Sequence, residues 1–160
     1  MNTERLIELH RMLSEVPEEY FDMGIFGTRD FQNLECGSAA CALGWAAVHP
    51  PFVEQGLRYI DEVPVYGDFR NYYAGGVFFG LTRQQCMDLF NPSRYDVEDE
   101  ETIKPTDVMA RIRDLIGYYP CHSCGELTHI NKLDGKDDGT GNYTLLECAD
   151  CYGPGYLEGP

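Results

Sequence analysis

The sequence predicts a mostly α N-terminal domain joined to a small β segment stapled by a metal. Three observations carry that prediction. Apolar residues recur at helical spacing in several stretches before residue 117. Two C-x-x-C pairs fall after residue 117. Between those pairs lie short strand-compatible runs separated by a Gly/Asp-rich stretch. The expected division is 1–117 all-α and 118–160 metal-stapled β.

The first helix is expected over residues 4 to 15. Leu6, Leu9, His10 and Leu13 share one face, Asn2 or Thr3 can cap it, and Pro17 ends it. An aromatic, glycine-bearing loop follows at 20–27. Residues 36–48 are almost uniformly small and apolar, with Ser38 as N-cap and His49-Pro50-Pro51 as a stop. A helix apolar all round is a buried one, so this stretch is expected to be the central helix. Pro51 is placed to start a neighbouring helix over 52–59.

Residues 61–67 read as a loop, and 72–80 as a short buried helix or an extended turn. Thr82-Arg83-Gln84-Gln85 has the capping-box pattern, with Met87, Leu89 and Phe90 behind it and Asn91-Pro92-Ser93 closing the helix. Residues 96–101 form an acidic linker. The last helix is expected from Thr106 to Ile116, its stripe made by Val108, Met109, Ile112, Leu115 and Ile116, with Gly117 as its stop.

Composition narrows the function classes. The chain has 160 residues, 43% of them hydrophobic, which suffices for a packed core. No apolar run approaches the ~20 residues of a membrane span. The opening Met1-Asn2-Thr3-Glu4-Arg5 lacks the apolar stretch of a signal peptide. A soluble cytoplasmic protein is the expectation. Twelve basic residues face 27 acidic ones, for a net charge of −15. That field repels phosphate backbones, so direct nucleic-acid binding is not expected. Strong acidity serves solubility, a basic protein partner, or mimicry of a nucleic acid.

Seven cysteines are an odd count, which argues against a full disulfide framework. Cys121-His122-Ser123-Cys124-Gly125 and Cys148-Ala149-Asp150-Cys151-Tyr152-Gly153 form two knuckles, each able to point both thiolates at one metal. Four thiolates around a d¹⁰ cation make a closed tetrahedral site, so Cys121, Cys124, Cys148 and Cys151 are expected to hold one structural zinc. A redox C-x-x-C normally occurs once beside a βαβ pattern, and these spacings favour zinc over an iron–sulfur cluster. Runs 126–133 and 142–147 are strand-compatible, with a turn region at 134–141. Two knuckles joined by a hairpin resemble the zinc-ribbon family over about a quarter of the chain. Many zinc ribbons bind nucleic acid; this one has 2 basic and 7 acidic residues, which points to protein contact instead.

A second resemblance lies upstream. Phe21-Asp22-Met23-Gly24, then Cys36-Gly37-Ser38-Ala39-Ala40-Cys41-Ala42-Leu43-Gly44-Trp45-Ala46, looks like a pattern in small uncharacterised proteins of bacteria and their phages, roughly F-D-M-G and C-G-[ST]-A-A-C-x-x-G-W-A. Phe78-Phe79-Gly80-Leu81-Thr82 also fits. The resemblance implies a fold and a phage-like setting, in which localisation would be the host cytoplasm; it implies no chemistry.

Two candidate sites remain. Cys36, at a helix N-terminus, is a candidate reactive thiol, with His49 as base and the Gly37 and Ser38 amides as oxyanion donors. The alternative is that Cys36 and Cys41, like Cys86, are small buried hydrophobes. Phe21, Phe26, Tyr66, Tyr72 and Tyr73 lie near several glycines and can line a pocket for a planar, nucleotide-like ligand, with Arg29 and Arg70 meeting its phosphates. The alternative there is ordinary core. The leading expectation is a non-enzymatic, acidic, zinc-containing interaction protein, phage-encoded, that modulates or inhibits a host protein. A small-molecule binding or sequestering protein, and a cysteine-dependent enzyme using Cys36, are the alternatives.

Overall fold

A computed structural model describes residues 1–28, 39–120, 127–129, 133–137 and 143–148. The chain divides into two compact units, Met1–Ile112 and Arg113–Pro160.

Helix α1 (Thr3–Ser14) forms as its sequence predicts. The Asn2 side chain accepts from the Arg5 amide, and Leu6, Leu9, His10 and Leu13 are all buried, joined by Met12. The central helix is shorter than expected. Helix α2 spans only Ala42–Val48, with Cys41 at its N-cap in extended geometry. Ala39 and Ala40 are not helical, because Ala40 pairs with Phe21 as a parallel bridge. Ser38, the expected cap, lies outside the described residues.

Helix α3 (Pro50–Glu54) has proline in its first turn but ends well before Tyr59. There the chain departs from the all-helical expectation. Strands β1 (Arg58–Ile60), β2 (Val63–Tyr66) and β3 (Phe69–Arg70) form a three-stranded antiparallel sheet in the order β1-β2-β3. Asp61 and Glu62 both adopt positive φ, 50° and 64°, the turn twist that suits a two-residue hairpin. An Asp-Glu pair is a weak signal for such a turn, and Pro64 demotes a strand reading, so the sheet was hidden in sequence. Pro64 is tolerated opposite Tyr59 with both side chains buried.

Helix α4 (Asn71–Phe79) follows the sheet directly and lies against β2 and β3. The chain then turns through Gly80 into α5 (Arg83–Phe90). The Thr82 capping box is present in full: its hydroxyl accepts from the Gln85 amide, and the Gln85 side chain accepts from the Thr82 amide. Residues 96–100 are exposed, as an acidic linker should be. Helix α6 (Pro105–Ile116) buries Val108, Ile112 and Ile116, and Gly117 at φ 68° stops it.

The core of the first unit is aromatic. Phe52, Phe78 and Phe79 meet edge to face at centroid distances of 5.3, 5.6 and 5.0 Å, and Phe90 joins at 5.7 Å from Phe79. Such pairs add about 0.5–1.5 kcal/mol each beyond their buried area. They tie α3, α4 and α5 into one body.

In the second unit, β4 (Tyr118–Pro120) pairs with β5 (Leu127–His129), and β6 (Leu133–Asp137) pairs with β7 (Tyr143–Cys148), both antiparallel. Strand β6 occupies part of the stretch expected to be a turn. Its ladder has a register shift between Lys136 and Asp137, which accommodates poor strand formers next to Gly135.

Candidate functional site

Helices α4 and α5 form a hairpin, and a groove opens along one side of it with a cavity of about 380 Å³. Tyr72, Tyr73 and Val77 contribute one wall; Leu81, Arg83 and Met87 contribute the other, with Gly76 and Cys86 between them. The hairpin forms because Gly80, at φ 63°, ends α4 in the left-handed conformation, and Thr82 immediately caps α5. Tyr72 is half-buried, and burial pushes its phenol up to about 12, with nearby Cys41 and Glu100 adding to the shift. It is therefore a neutral donor at ordinary pH. The Cys86 thiol donates to the Tyr72 carbonyl at 3.0 Å, so the floor meets its own polar needs.

The sequence-predicted pocket residues are dispersed. Tyr72 and Tyr73 line this groove, and Phe26 packs on Tyr72 with ring centroids 5.1 Å apart. Phe21 is buried in the pairing with Ala40. Tyr66 stacks edge to face on Phe78 at 5.1 Å, as a core residue. Arg70 is exposed and pairs with Asp61 at 3.0 Å. Arg29 lies outside the described residues. Arg83, Leu81 and Met87 belong to the groove but escaped the sequence reading. The signal that points to them is the Gly80 stop followed by the Thr82 cap, which sets α5 back against α4.

The Phe21–Gly24 turn and the stretch from Ala40 to Trp45 form a packing clasp. Asp22 Oδ1 accepts from the Gly24 amide at 2.7 Å, forming a tight turn at F-D-M-G. The amide of Asp22 donates to the Ala40 carbonyl, and that of Cys41 to the Ile25 carbonyl. The Trp45 indole N–H donates to the Tyr20 carbonyl at 3.0 Å. Gly44 lets the Phe26 carbonyl lie against α2: a Cβ there would sit 1.6 Å from that oxygen.

Cys41 and Cys86 are both buried and free. Burial pushes each thiol up to about 11, with the Gly44 and Leu43 amides offsetting part of the rise at Cys41. Neither has the lowered pKa of a nucleophile. Cys36 lies outside the described residues. His49, its suggested base, has Nε2 2.6 Å from Glu8 Oε1. Arg11 grips the same carboxylate at 2.6 and 3.0 Å. The Arg11 bonds, helped by His49 and opposed by partial burial, hold Glu8 at about 2.

Of the four cysteines expected to hold zinc, Cys121, Cys124 and Cys151 lie outside the described residues, and Cys148 is described only by its backbone at the end of β7. The donor set itself, two C-x-x-C pairs, fits a four-thiolate zinc and no open-coordination chemistry. Among the described residues no cluster of His, Cys, Asp and Glu is placed to hold a metal ion, and no helix is long and apolar enough to cross a membrane. Comparison with protein-family models, curated proteins and solved structures found no match to the chain.

Proposed function

We propose that this chain is a non-enzymatic interaction protein: acidic, zinc-containing, and directed at a basic protein partner. In the phage-like setting that its N-terminal motif suggests, the partner is a host protein that it modulates. The observation that carries this reading is the charge of −15 together with the fate of the cations. Arg11 holds Glu8 and Glu15, Arg70 holds Asp61, and Lys104 holds Glu18. Arg5 and Arg111 are turned onto backbone carbonyls of Phe78, Asp88 and Arg94. With those positive groups engaged internally, carboxylates dominate the outward field, and such a field steers basic surfaces and repels nucleic acid. In this reading the C-terminal segment, closed by a four-thiolate zinc, supplies a second contact surface without catalysis.

The test is affinity capture from bacterial lysate with the full chain, followed by titration of the captured protein. The expected partner is basic, binds stoichiometrically, and weakens as salt rises past physiological strength. Replacing the exposed Asp96→Asn, Glu98→Gln and Glu100→Gln together should weaken it further. A partner indifferent to both salt and these substitutions, or none at moderate salt, would sink the reading.

A further inference from the structure

We propose that the groove between α4 and α5 is a binding site for a compact aromatic anion, a flat ring system bearing one carboxylate or phosphate group. The site is independent of the acidic-surface reading above. Four features converge on this ligand class.

The first is size. A cavity of about 380 Å³ falls at the small end of ligand-binding pockets, which run roughly 300–1,000 Å³. It suits a ring system and one anionic group better than a peptide helix. The second is the wall. Tyr73 is 61% exposed and Val77 46% exposed, one helical turn apart on α4. Two large side chains left so open on one face form a platform on which a flat ring can lie. The third is the floor. Gly76 leaves room beside Cys86, and the one thiol there already donates to the Tyr72 carbonyl, so the interior asks for an apolar guest.

The fourth is Arg83. It lines the cavity at the start of α5 and is exposed, and among the described residues it makes no ion pair. Arg11, Arg70 and Lys104 are held by carboxylates; this guanidinium is available to an incoming oxyanion in bidentate geometry. The net charge of −15 opposes anion binding at long range. Screening over about 8 Å at physiological salt leaves the adjacent guanidinium as the stronger influence at contact.

The experiment titrates the full chain with 2-naphthoate, with 1-naphthyl phosphate, and with uncharged 2-naphthamide, by calorimetry and amide NMR. At least one anionic probe should bind saturably, with shifts concentrated in residues 71–77 and 81–87, and the tighter of the two identifies the preferred anion. Arg83→Gln should weaken the anionic probe about tenfold, the loss of one charge-assisted contact, while leaving naphthamide unchanged. Tyr73→Ala should weaken all three probes. Gly76→Ala should do likewise, because its new Cβ reaches into the floor at an ordinary 3.6 Å from Cys86 without a clash. All three variants are expected to keep the native amide spectrum. Absence of saturable binding by both anions overturns the proposal. So does anion affinity that Arg83→Gln leaves unchanged, or shifts centred outside the hairpin.

Discussion

Gly44 and Gly76 look alike in sequence, each a glycine within an apolar helical run, yet their surroundings make opposite demands. A Cβ at Gly44 would collide with the Phe26 carbonyl, a backbone atom that cannot step aside. Gly44→Ala should cost about 2–4 kcal/mol in urea unfolding, by overpacking and by loosening the clasp. Gly76→Ala should be neutral or stabilising by up to about 1 kcal/mol, because alanine is the better helix former and the space exists. The Glu8 carboxylate supplies a pH signature. Its folded pKa lies at about 2, below the ordinary 4.5, so the stability it contributes is present above 4.5 and is lost as pH falls toward 2. Arg11 is 54% exposed, so solvent screening reduces the effect to on the order of 1 kcal/mol. Glu8→Gln should therefore lower stability at neutral pH by that amount and flatten the acid limb of the stability curve. Parallel acid limbs in the two proteins would show that the ion pair contributes nothing. The Glu8–Arg11 half of this cluster is legible from helical spacing; His49 is distant in sequence, and only the folded chain brings it in.

Among the elements, those closed by local chemistry were legible. The Asn2 cap, the Thr82 capping box and the Gly117 stop all act within a few residues, and α1, α5 and α6 form close to where the sequence places them. Thr82→Ala should cost about 1 kcal/mol and shift the urea midpoint without changing its slope; Thr82→Ser should recover most of that. Elements whose ends depend on distant partners were not legible. The stretch before Ala42 has a helical composition, but Ala40 exchanges backbone hydrogen bonds with Tyr20 and Asp22 and is drawn out straight. Arg58 to Arg70 carries no strong hairpin signal, yet its strands gain a buried face against α2 and α4. Packing overrode a weak local preference in both places.

At the scale of the whole molecule, the proposed zinc and the helical unit should be separable. Chelation should unfold residues 118–160 while leaving the helical circular-dichroism signal of the N-terminal part nearly intact, because a four-thiolate site contributes its binding energy to the segment that holds it. Loss of that helical signal on chelation would show that the two parts stand or fall together. The sequence by itself determined the mostly helical character, the Asn2 and Thr82 caps, the Gly117 stop, the acidity and the presence of two C-x-x-C pairs. Each of these is written in residue type and short spacing, where the physics is local. Only the tertiary structure decided that the 58–70 stretch is a sheet, that Phe21, Tyr66 and Arg70 part company from Tyr72 and Tyr73, and that Arg83 stands at a cavity. Those outcomes follow from which buried faces and backbone groups find partners far along the chain, and spacing alone does not encode that choice. The α4–α5 groove lies between the two cases: the turn that builds it is local, but its open aromatic wall exists because α4 spends its other face on the sheet.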